Sequence, residues 1–254
     1  STTSCRTNFT AGQGAVMQNF INSHPALASV KRTGDDYANA VNCPCSSEDI
    51  HIYNAQTYNT NQIIPGNIYV HAGGNLVITA QLGFTESKGI IVERGGKLWL
   101  TGPTAKLTAA CNYKWWNGIE VEGNNAIAQP DDYQSATSAS DAGIVYISNN
   151  ATIEKAQIGI STVRHNERWN EAYWGGLVQV KDCKFLYNRK AIAFMRYRPG
   201  INGTNKSSIV NVDMDGTSAN SSTTEGVTIW SSDGITYERN RLVNFDKMGL
   251  IIVD

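Results

Sequence analysis

The sequence predicts an all-β protein, a right-handed parallel β-helix (solenoid) preceded by a capping region with one helix. The first observation is a repeat of 22 residues, in which Ile68 recurs as Ile90 and each unit has two short alternating runs around a Gly-Gly pair. Alternation is typical of strands, and glycine accepts the positive φ of a tight corner. The second is a repeat of 32 residues, in which Ile153 recurs as Phe185. Repeats of this kind, with two or three strands per unit, are typical of solenoids.

The spacing between matching residues varies along the chain. Ile119 follows Ile90 by 29 positions, and the same spacing would place Ile127 in the column of Leu98. Val145 follows Ile119 by 26 positions and is expected in its column. A β-helix tolerates such variation, because loops inserted at its corners leave the stacked strands in place. Two successive hairpins are an alternative for the first two units taken alone.

The first 62 residues are expected to form the cap, and the β-helix to run from residue 63 to residue 254. A capping-box pattern followed by apolar residues at helical spacing predicts a helix over residues 11–23. Such a helix would cover the first coil and protect its open strand edges. The residues expected to face inward are Val16, Met17, Phe20 and Ile21.

Between the periodic segments, polar or aromatic stretches are expected to be loops that project from the corners. Before residue 63, only one strand is expected, at residues 50–53. The inserts are predicted at residues 102–116, 124–142, 164–175 and 199–225.

Charge and hydropathy argue against two kinds of partner. The chain has 21 Lys and Arg against 22 Asp and Glu, a formal net charge of -1, so no nucleic acid is expected. No apolar run approaches the roughly 18 residues of a membrane span, so no membrane insertion is expected. The start of the chain does not resemble a signal peptide, and Ser1 is interpreted as a mature N-terminus. Residues 250–254 have the pattern of a strand in mid-coil, which favours a fragment of a longer protein.

The 5 cysteines do not form a metal-binding pattern, and neither a metal nor another cofactor is expected. The disulfide candidates are Cys5 with either Cys43 or Cys45, as a staple of a secreted chain. Cys183 lies within a strand pattern and is expected to be a small buried hydrophobe.

The 32-residue repeat predicts a ladder of cations at one edge of the β-helix. It would stack Arg164 under Arg196 and His165 under Tyr197, with Asp254 as a candidate counter-charge in the same column. Stacked cations beside planar aromatic side chains suit the faces and carboxylates of acidic sugars. The alternative is a solvated corner where Arg and Trp cover neighbouring coils. The candidate glycan-binding residues are Arg164, His165, Arg168, Trp169, Tyr173, Trp174, Arg196 and Tyr197.

One stretch resembles a known family. Cys111 and the pair Trp115-Trp116 precede the run Gly-Ile-Glu-Val-Glu-Gly-Asn at residues 118–124. This arrangement is similar to that of large secreted Bacteroidota surface proteins that contain parallel β-helix regions and are cargo of the type IX secretion system. The resemblance covers about residues 65–254. It implies a secreted or cell-surface location, the secretion machinery of the outer membrane as a partner, and a C-terminal sorting domain that this chain lacks. The family supplies no shared catalytic residues.

Two functions follow as expectations. The first is a non-enzymatic surface module, an adhesin or a glycan-binding or structural part of a larger exported protein, with a polysaccharide as its possible ligand. The alternative is a carbohydrate-active enzyme of the β-helix class, a polysaccharide lyase or a glycoside hydrolase. A lyase could use His165 as its base and Arg164 and Arg196 to neutralise a carboxylate. The known polygalacturonase motifs of β-helices are absent from the sequence.

Overall fold

The chain is a parallel β-helix, as the repeats predict. The computed structural model describes residues 16, 19–20, 48–110, 115–131, 142–198, 204–217 and 224–253. In chain order its strands are β1 (Ile50–Ile52), β2 (Ala55–Tyr58), β3 (Gln62–Ile64), β4 (Ile68–Val70), β5 (Asn75–Ile78), β6 (Gln81–Phe84), β7 (Gly89–Val92), β8 (Lys97–Thr101), β9 (Lys106–Ala109), β10 (Trp116–Val121), β11 (Ile144–Ser148), β12 (Thr152–Glu154), β13 (Ala156–Ser161), β14 (Leu177–Lys181), β15 (Lys184–Leu186), β16 (Lys190–Phe194), β17 (Ser208–Val210), β18 (Asp213–Asp215), β19 (Glu225–Trp230), β20 (Thr236–Glu238), β21 (Arg241–Val243) and β22 (Met248–Val253).

Every third strand belongs to the same sheet. Sheet 1 has eight strands, in the order β1-β4-β7-β10-β13-β16-β19-β22. Sheet 2 has seven, β2-β5-β8-β11-β14-β17-β20, and sheet 3 has seven, from β3 to β21. Each coil therefore visits sheets 1, 2 and 3 in turn. We number the coils from 1 to 8 by their sheet 1 strand, and call the connection from sheet 1 to sheet 2 the first corner.

The strand registers confirm the repeats that predicted the fold. Ile68 pairs with Ile90 in parallel, and Ile153 pairs with Phe185. Ile90 pairs in turn with Ile119, as the spacing of 29 residues predicts. The inward column formed by these isoleucines is fully buried. The stacked columns form one continuous core. Burial of each such side chain contributes about 1.5–3 kcal/mol of apolar transfer free energy relative to exposure.

Two register predictions in coil 4 are wrong. Val145 pairs with Leu98 in sheet 2, so it lies in a different sheet from Ile119. Ile127 forms no strand and lies in the long first corner of coil 4 instead. The reason is physical: a corner loop has no fixed length, so spacing alone does not determine where the chain re-enters the next sheet.

The stacked strands begin earlier than residue 63. The pairing of β1 with β4 and of β2 with β5 adds a full coil from Ile50 onward. The predicted inserts at 102–116 and 199–225 are also too long, because the first contains β9 and the second contains β17 and β18. The insert at 164–175 does lie in a long first corner, and so do residues 124–131, the described part of the insert at 124–142 that follows β10.

The capping helix over residues 11–23 lies outside the described residues, apart from Val16, Asn19 and Phe20. Val16 and Phe20 are 70% and 55% exposed, so these two side chains do not face inward as predicted. Cys5, Cys43, Cys45, Cys111 and Asp254 also lie outside the described residues.

The prediction that Cys183 is a small buried hydrophobe is confirmed, because its side chain is buried and its thiol is free. Burial raises the pKa of this thiol. Within the described part of the chain, no helix has the length and apolar character to cross a membrane.

Candidate functional site

The long first corners of coils 4 and 5 fold over the edge of sheet 1 and bring the predicted site residues together. The corner of coil 5, residues 162–176, is called the arm and contains a short 3-10 helix, Glu171–Tyr173. The side chain of Asn170 caps this helix by accepting a hydrogen bond from Ala172 N. The described part of the coil 4 corner, residues 122–131, lies against the arm, since Gly123 N donates to Tyr173 O at 2.6 Å.

Arg94, at the short corner of coil 3, joins these two loops. Its Nε donates to Gly123 O at 2.7 Å and its Nη2 donates to Ala172 O at 2.6 Å. The Arg94 guanidinium lies 4.1 Å from the centre of the Tyr173 ring, and the Arg164 guanidinium lies 3.9 Å from it. Each cation–π contact contributes roughly 0.5–2 kcal/mol. Tyr173, a predicted ligand-binding residue, is therefore engaged by the protein's own cations.

Two glutamates, Glu120 in β10 and Glu122 directly after it, neutralise the predicted cation ladder. Glu120 bonds to His165 Nδ1 at 2.9 Å and forms an ion pair with Arg168. Glu122 Oε1 lies 3.3 Å from Arg164 Nε. A carboxylate buried beside cations stabilises their charge far more than an exposed one does. The ladder thus has counter-charges within the chain.

Arg164 and Arg196 do lie at the first corners of neighbouring coils, following the adjacent strands β13 and β16. Glu167 and Glu171 in the arm complete their neutralisation: Arg164 Nη1 lies 3.5 Å from Glu167, and Arg196 Nη1 lies 3.9 Å from Glu171. Arg164 and Arg196 therefore need neither Asp254 nor an acidic ligand as a counter-charge.

Glu120 and Glu122 have pKa shifts in opposite directions. Burial alone would raise the pKa of Glu120, but the hydrogen bond from His165 and the charge of Arg168 outweigh it and lower the pKa. Burial raises the pKa of Glu122, and the hydrogen bond from Arg94 N does not compensate it. Neighbouring carboxyl groups with separated pKa values are typical of acid–base pairs.

Two of the predicted ligand-binding residues are buried and structural. Tyr197 is fully buried, and its hydroxyl donates to Ile127 O at 2.7 Å, which pins the corner of coil 4. Burial raises the pKa of Tyr197 to about 12. Trp174 is buried as well, and its Nε1 donates to Arg168 O at 2.7 Å. Neither ring offers a face to a ligand in this conformation.

An exposed tryptophan pair is the accessible aromatic surface of the site. Trp169, in the arm, is 74% exposed, and Trp230, at the end of β19, is 39% exposed. Their ring centres lie 6.2 Å apart in an edge-to-face arrangement. Trp174 lies 6.1 Å from Trp230 and supports it. Sequence reasoning missed Trp230, although the inward residues Val227 and Ile229 before it place it on the outer face by alternation.

A cavity of about 540 Å³ lies beside the arm. Arg168 lines the cavity, and it is the residue that precedes Trp169 in the arm. The lining residues are Asn117, Gln157, Ile158, Arg168, Arg189, Lys190, Glu225 and Lys247. Apart from Arg168, none of them was a candidate from the sequence. The signal available was the row of amide and basic residues at the start of successive sheet 1 strands.

Among the described residues, no group of three or more His, Cys, Asp and Glu side chains is arranged to hold a metal ion. No family model, no curated protein and no solved structure matches this chain. The geometry above is therefore the basis for a functional proposal.

Proposed function

We propose that this chain is a non-enzymatic glycan-binding module of a larger secreted or cell-surface protein. The observation that carries the proposal is the exposed pair formed by Trp169, in the arm, and Trp230, at the end of β19. Adjacent exposed apolar side chains on a protein surface often mark an interaction site. Sugar rings stack on such faces through their C–H groups, and indole offers the largest area.

The fixed surroundings support this proposal. Arg168 is held by Glu120, the Trp174 side chain of the arm is buried, and Tyr173 contacts two guanidinium groups. A pre-organised loop loses little conformational entropy when it binds, so a small number of exposed contacts can give useful affinity. The secreted location and the export machinery as partner rest on the family resemblance at residues 111–124 and belong to the same proposal.

The test is binding of the chain to a panel of acidic and neutral polysaccharides, with product release measured in the same incubations. Trp169→Ala is expected to weaken binding about tenfold, because it removes the most exposed aromatic face. Its melting temperature is expected to stay within a few degrees of the wild-type value, since the ring is mostly in solvent. Trp169→Phe is expected to restore part of the affinity.

Tyr53→Ala is the matched control. Tyr53 is also an exposed aromatic residue at the edge of sheet 1, but it lies in coil 1, where its ring stacks on His71 at 4.3 Å. Binding is expected to be unchanged in this variant. A folded Trp169→Ala variant that binds every polysaccharide as the wild type does would assign the arm to structure alone.

A second candidate, a carbohydrate-active enzyme, is favoured by the opposed pKa shifts of Glu120 and Glu122. Glycoside hydrolases use two carboxyl groups, one of them kept protonated by its surroundings. We rank it second because both glutamates are buried and bonded to cations of the chain. Release of oligosaccharides that disappears in Glu122→Gln would establish the enzyme and overturn the non-enzymatic proposal.

A further inference from the structure

The cavity beside the arm crosses several coils. Asn117 and Gln157 lie at the start of the paired strands β10 and β13, and Lys247 directly precedes β22. From β10 to β22 there are four steps between neighbouring strands of sheet 1. At about 4.8 Å per step, the cavity extends roughly 19 Å along the helix axis. Its shape suits an extended chain rather than one small molecule.

The lining of this cavity is polar. Ile158 is its one apolar residue, and all the others carry amide or charged groups. Cavities of this volume that bind drug-like ligands are mostly apolar, with few polar groups. A ligand for this cavity must therefore be rich in hydrogen-bonding groups, as a saccharide is.

Positive charge exceeds negative charge in the cavity. Lys190 and Lys247 share a single carboxylate, Glu225, at 2.8 Å and 2.9 Å. The hydrogen bond from Lys190 lowers the pKa of Glu225, so this carboxylate is ionised at neutral pH. One carboxylate for two ammonium groups leaves a net positive charge.

Arg189 adds a further positive charge, which pairs with no carboxylate of the described residues. Its side chain is exposed and donates to the neutral amide oxygen of Gln157 at 3.4 Å. A guanidinium binds a carboxylate or sulfate through two parallel N–H groups, an interaction about twice as strong as a neutral hydrogen bond. Among the lining residues, Arg189 is thus the cation best placed to receive an anion.

We propose that this cavity binds an acidic saccharide, whose anionic group is held by Arg189 and whose hydroxyl groups bond to Asn117 and Gln157. The proposal deepens the proposed function, on which it rests, and moves the anion-binding residue from the predicted Arg164 and Arg196 to Arg189. Lys190 and Lys247 attract the polyanion, and Glu225 keeps their ammonium groups in place. A uronate and a sulfated sugar share this chemistry.

The experiment is titration calorimetry of the whole chain with three probes: polygalacturonate oligosaccharides, dextran sulfate and neutral dextran. We expect both acidic probes to bind more tightly than dextran, and their affinity to fall as salt is raised. Arg189→Gln is expected to weaken binding of the acidic probes at least about tenfold, because a charged hydrogen bond is lost. Arg189→Lys keeps the charge without the planar fork and is expected to recover part of this loss.

Arg241→Gln is the matched control, because it removes the same charge from sheet 3, where Arg241 pairs with Asp213 at 2.6 Å. It is expected to leave binding of all three probes unchanged. Tighter binding of polygalacturonate identifies a carboxylate ligand, and tighter binding of dextran sulfate identifies a sulfate ligand.

The outcomes separate this proposal from the proposed function. If Trp169→Ala abolishes binding while Arg189→Gln binds the acidic probes as the wild type does, the glycan-binding function stands and the anion site is wrong. Equal affinity for dextran and the acidic probes also overturns the anion site. If no polysaccharide of the panel binds to the wild type, both proposals fail.

Discussion

The first corner is built in two ways along the same helix. Coils 2 and 3 turn it at residues 71–74 and 93–96, whereas coils 4 and 5 have longer first corners, which include residues 122–131 and the arm. In the short corners backbone groups bond directly to the next coil, as Gly73 N does to Gly95 O at 3.1 Å. The long corners share backbone bonds as well, such as that from Gly123 N to Tyr173 O at 2.6 Å, but side chains add further bonds to them. These side chains are Arg94 from the short corner of coil 3, Gln129 and Tyr197.

This difference shows that the length of the chain varies at the corners while the sheets stay continuous. Sheet 2 continues without a break through the long corners, because β11 pairs with β8 on one side and with β14 on the other. Strand stacking is maintained by backbone register, while the loops are held by specific side chains. The candidate ligand surface combines the two, because the arm is held by side chains and the cavity beside it is lined by residues of stacked sheet 1 strands.

The largest effect is expected at glycines that precede the sheet 2 strands in both kinds of coil. An alanine Cβ at position 96 would lie 2.2 Å from Val70 O, and one at position 143 would lie 2.7 Å from Glu93 O. Backbone atoms cannot move aside cheaply, so Gly96→Ala and Gly143→Ala are each expected to lower the free energy of unfolding by about 4 kcal/mol or more. Urea denaturation measures this.

Gly102→Ala is the control, because no atom lies within 4 Å of the added Cβ. It should cost only the strain of a positive φ, about 1–2 kcal/mol. If Gly143→Ala costs no more than this control, the stack is looser beside a long corner and the comparison above is incorrect.

The next largest effect on stability should distinguish Glu120 from Glu122. Glu120→Gln leaves Arg168 and His165 without their shared carboxylate, and we expect a loss of about 3 kcal/mol at pH 7. Glu122→Gln should change stability by less than about 1 kcal/mol, since burial already disfavours its ionised form. Thermal unfolding of both variants provides the comparison.

The pH dependence has a definite sign. The lowered pKa of Glu120 contributes stability above its unfolded pKa of about 4.3, which is lost as the pH falls through the folded pKa. The gap in melting temperature between the wild type and Glu120→Gln should therefore narrow below about pH 4. The raised pKa of Glu122 acts oppositely, and its stability contribution is lost as the pH rises through the folded pKa. A gap that is constant from pH 7 to pH 3 would contradict this assignment.

A smaller and local effect is expected for Tyr197→Phe, which removes the hydrogen bond to Ile127 O. The cost should be about 1 kcal/mol, and amide exchange should accelerate in residues 124–131. Residues 71–74 and 93–96 should exchange as in the wild type. Faster exchange in those short corners would show that the two kinds of corner are not independent.

Much of the fold could be predicted because buried and less buried positions alternate in strands such as β4, β5 and β8, which carry the first repeat. The register of coil 4 could not be predicted from spacing, since its corner has a length of its own. A better signal was present: Gly143 and Gly176 directly precede sheet 2 strands, as Gly74 and Gly96 do. Each of these glycines closely approaches a backbone oxygen of the preceding coil, so the column is a steric requirement.

The candidate site could be predicted only in part. The pattern placed Arg164, Trp169 and Arg196 at one edge, because adjacent strands carry them there. It could not give the burial of Trp174 and Tyr197, or the role of Glu120 as partner to two cations. These depend on how a long loop folds back on the sheet, which strand periodicity does not encode.

We assign the ligand surface to the arm and the sheet 1 strands beside it, and coils 2 and 3 to the scaffold. Amide hydrogen exchange of the whole chain, with and without saturating polygalacturonate oligosaccharide, distinguishes the two regions. We expect slower exchange in residues 164–174 and 189–190, and no change in residues 71–74 and 93–96. Slower exchange in the short corners, with the arm unaffected, would show that this assignment is wrong.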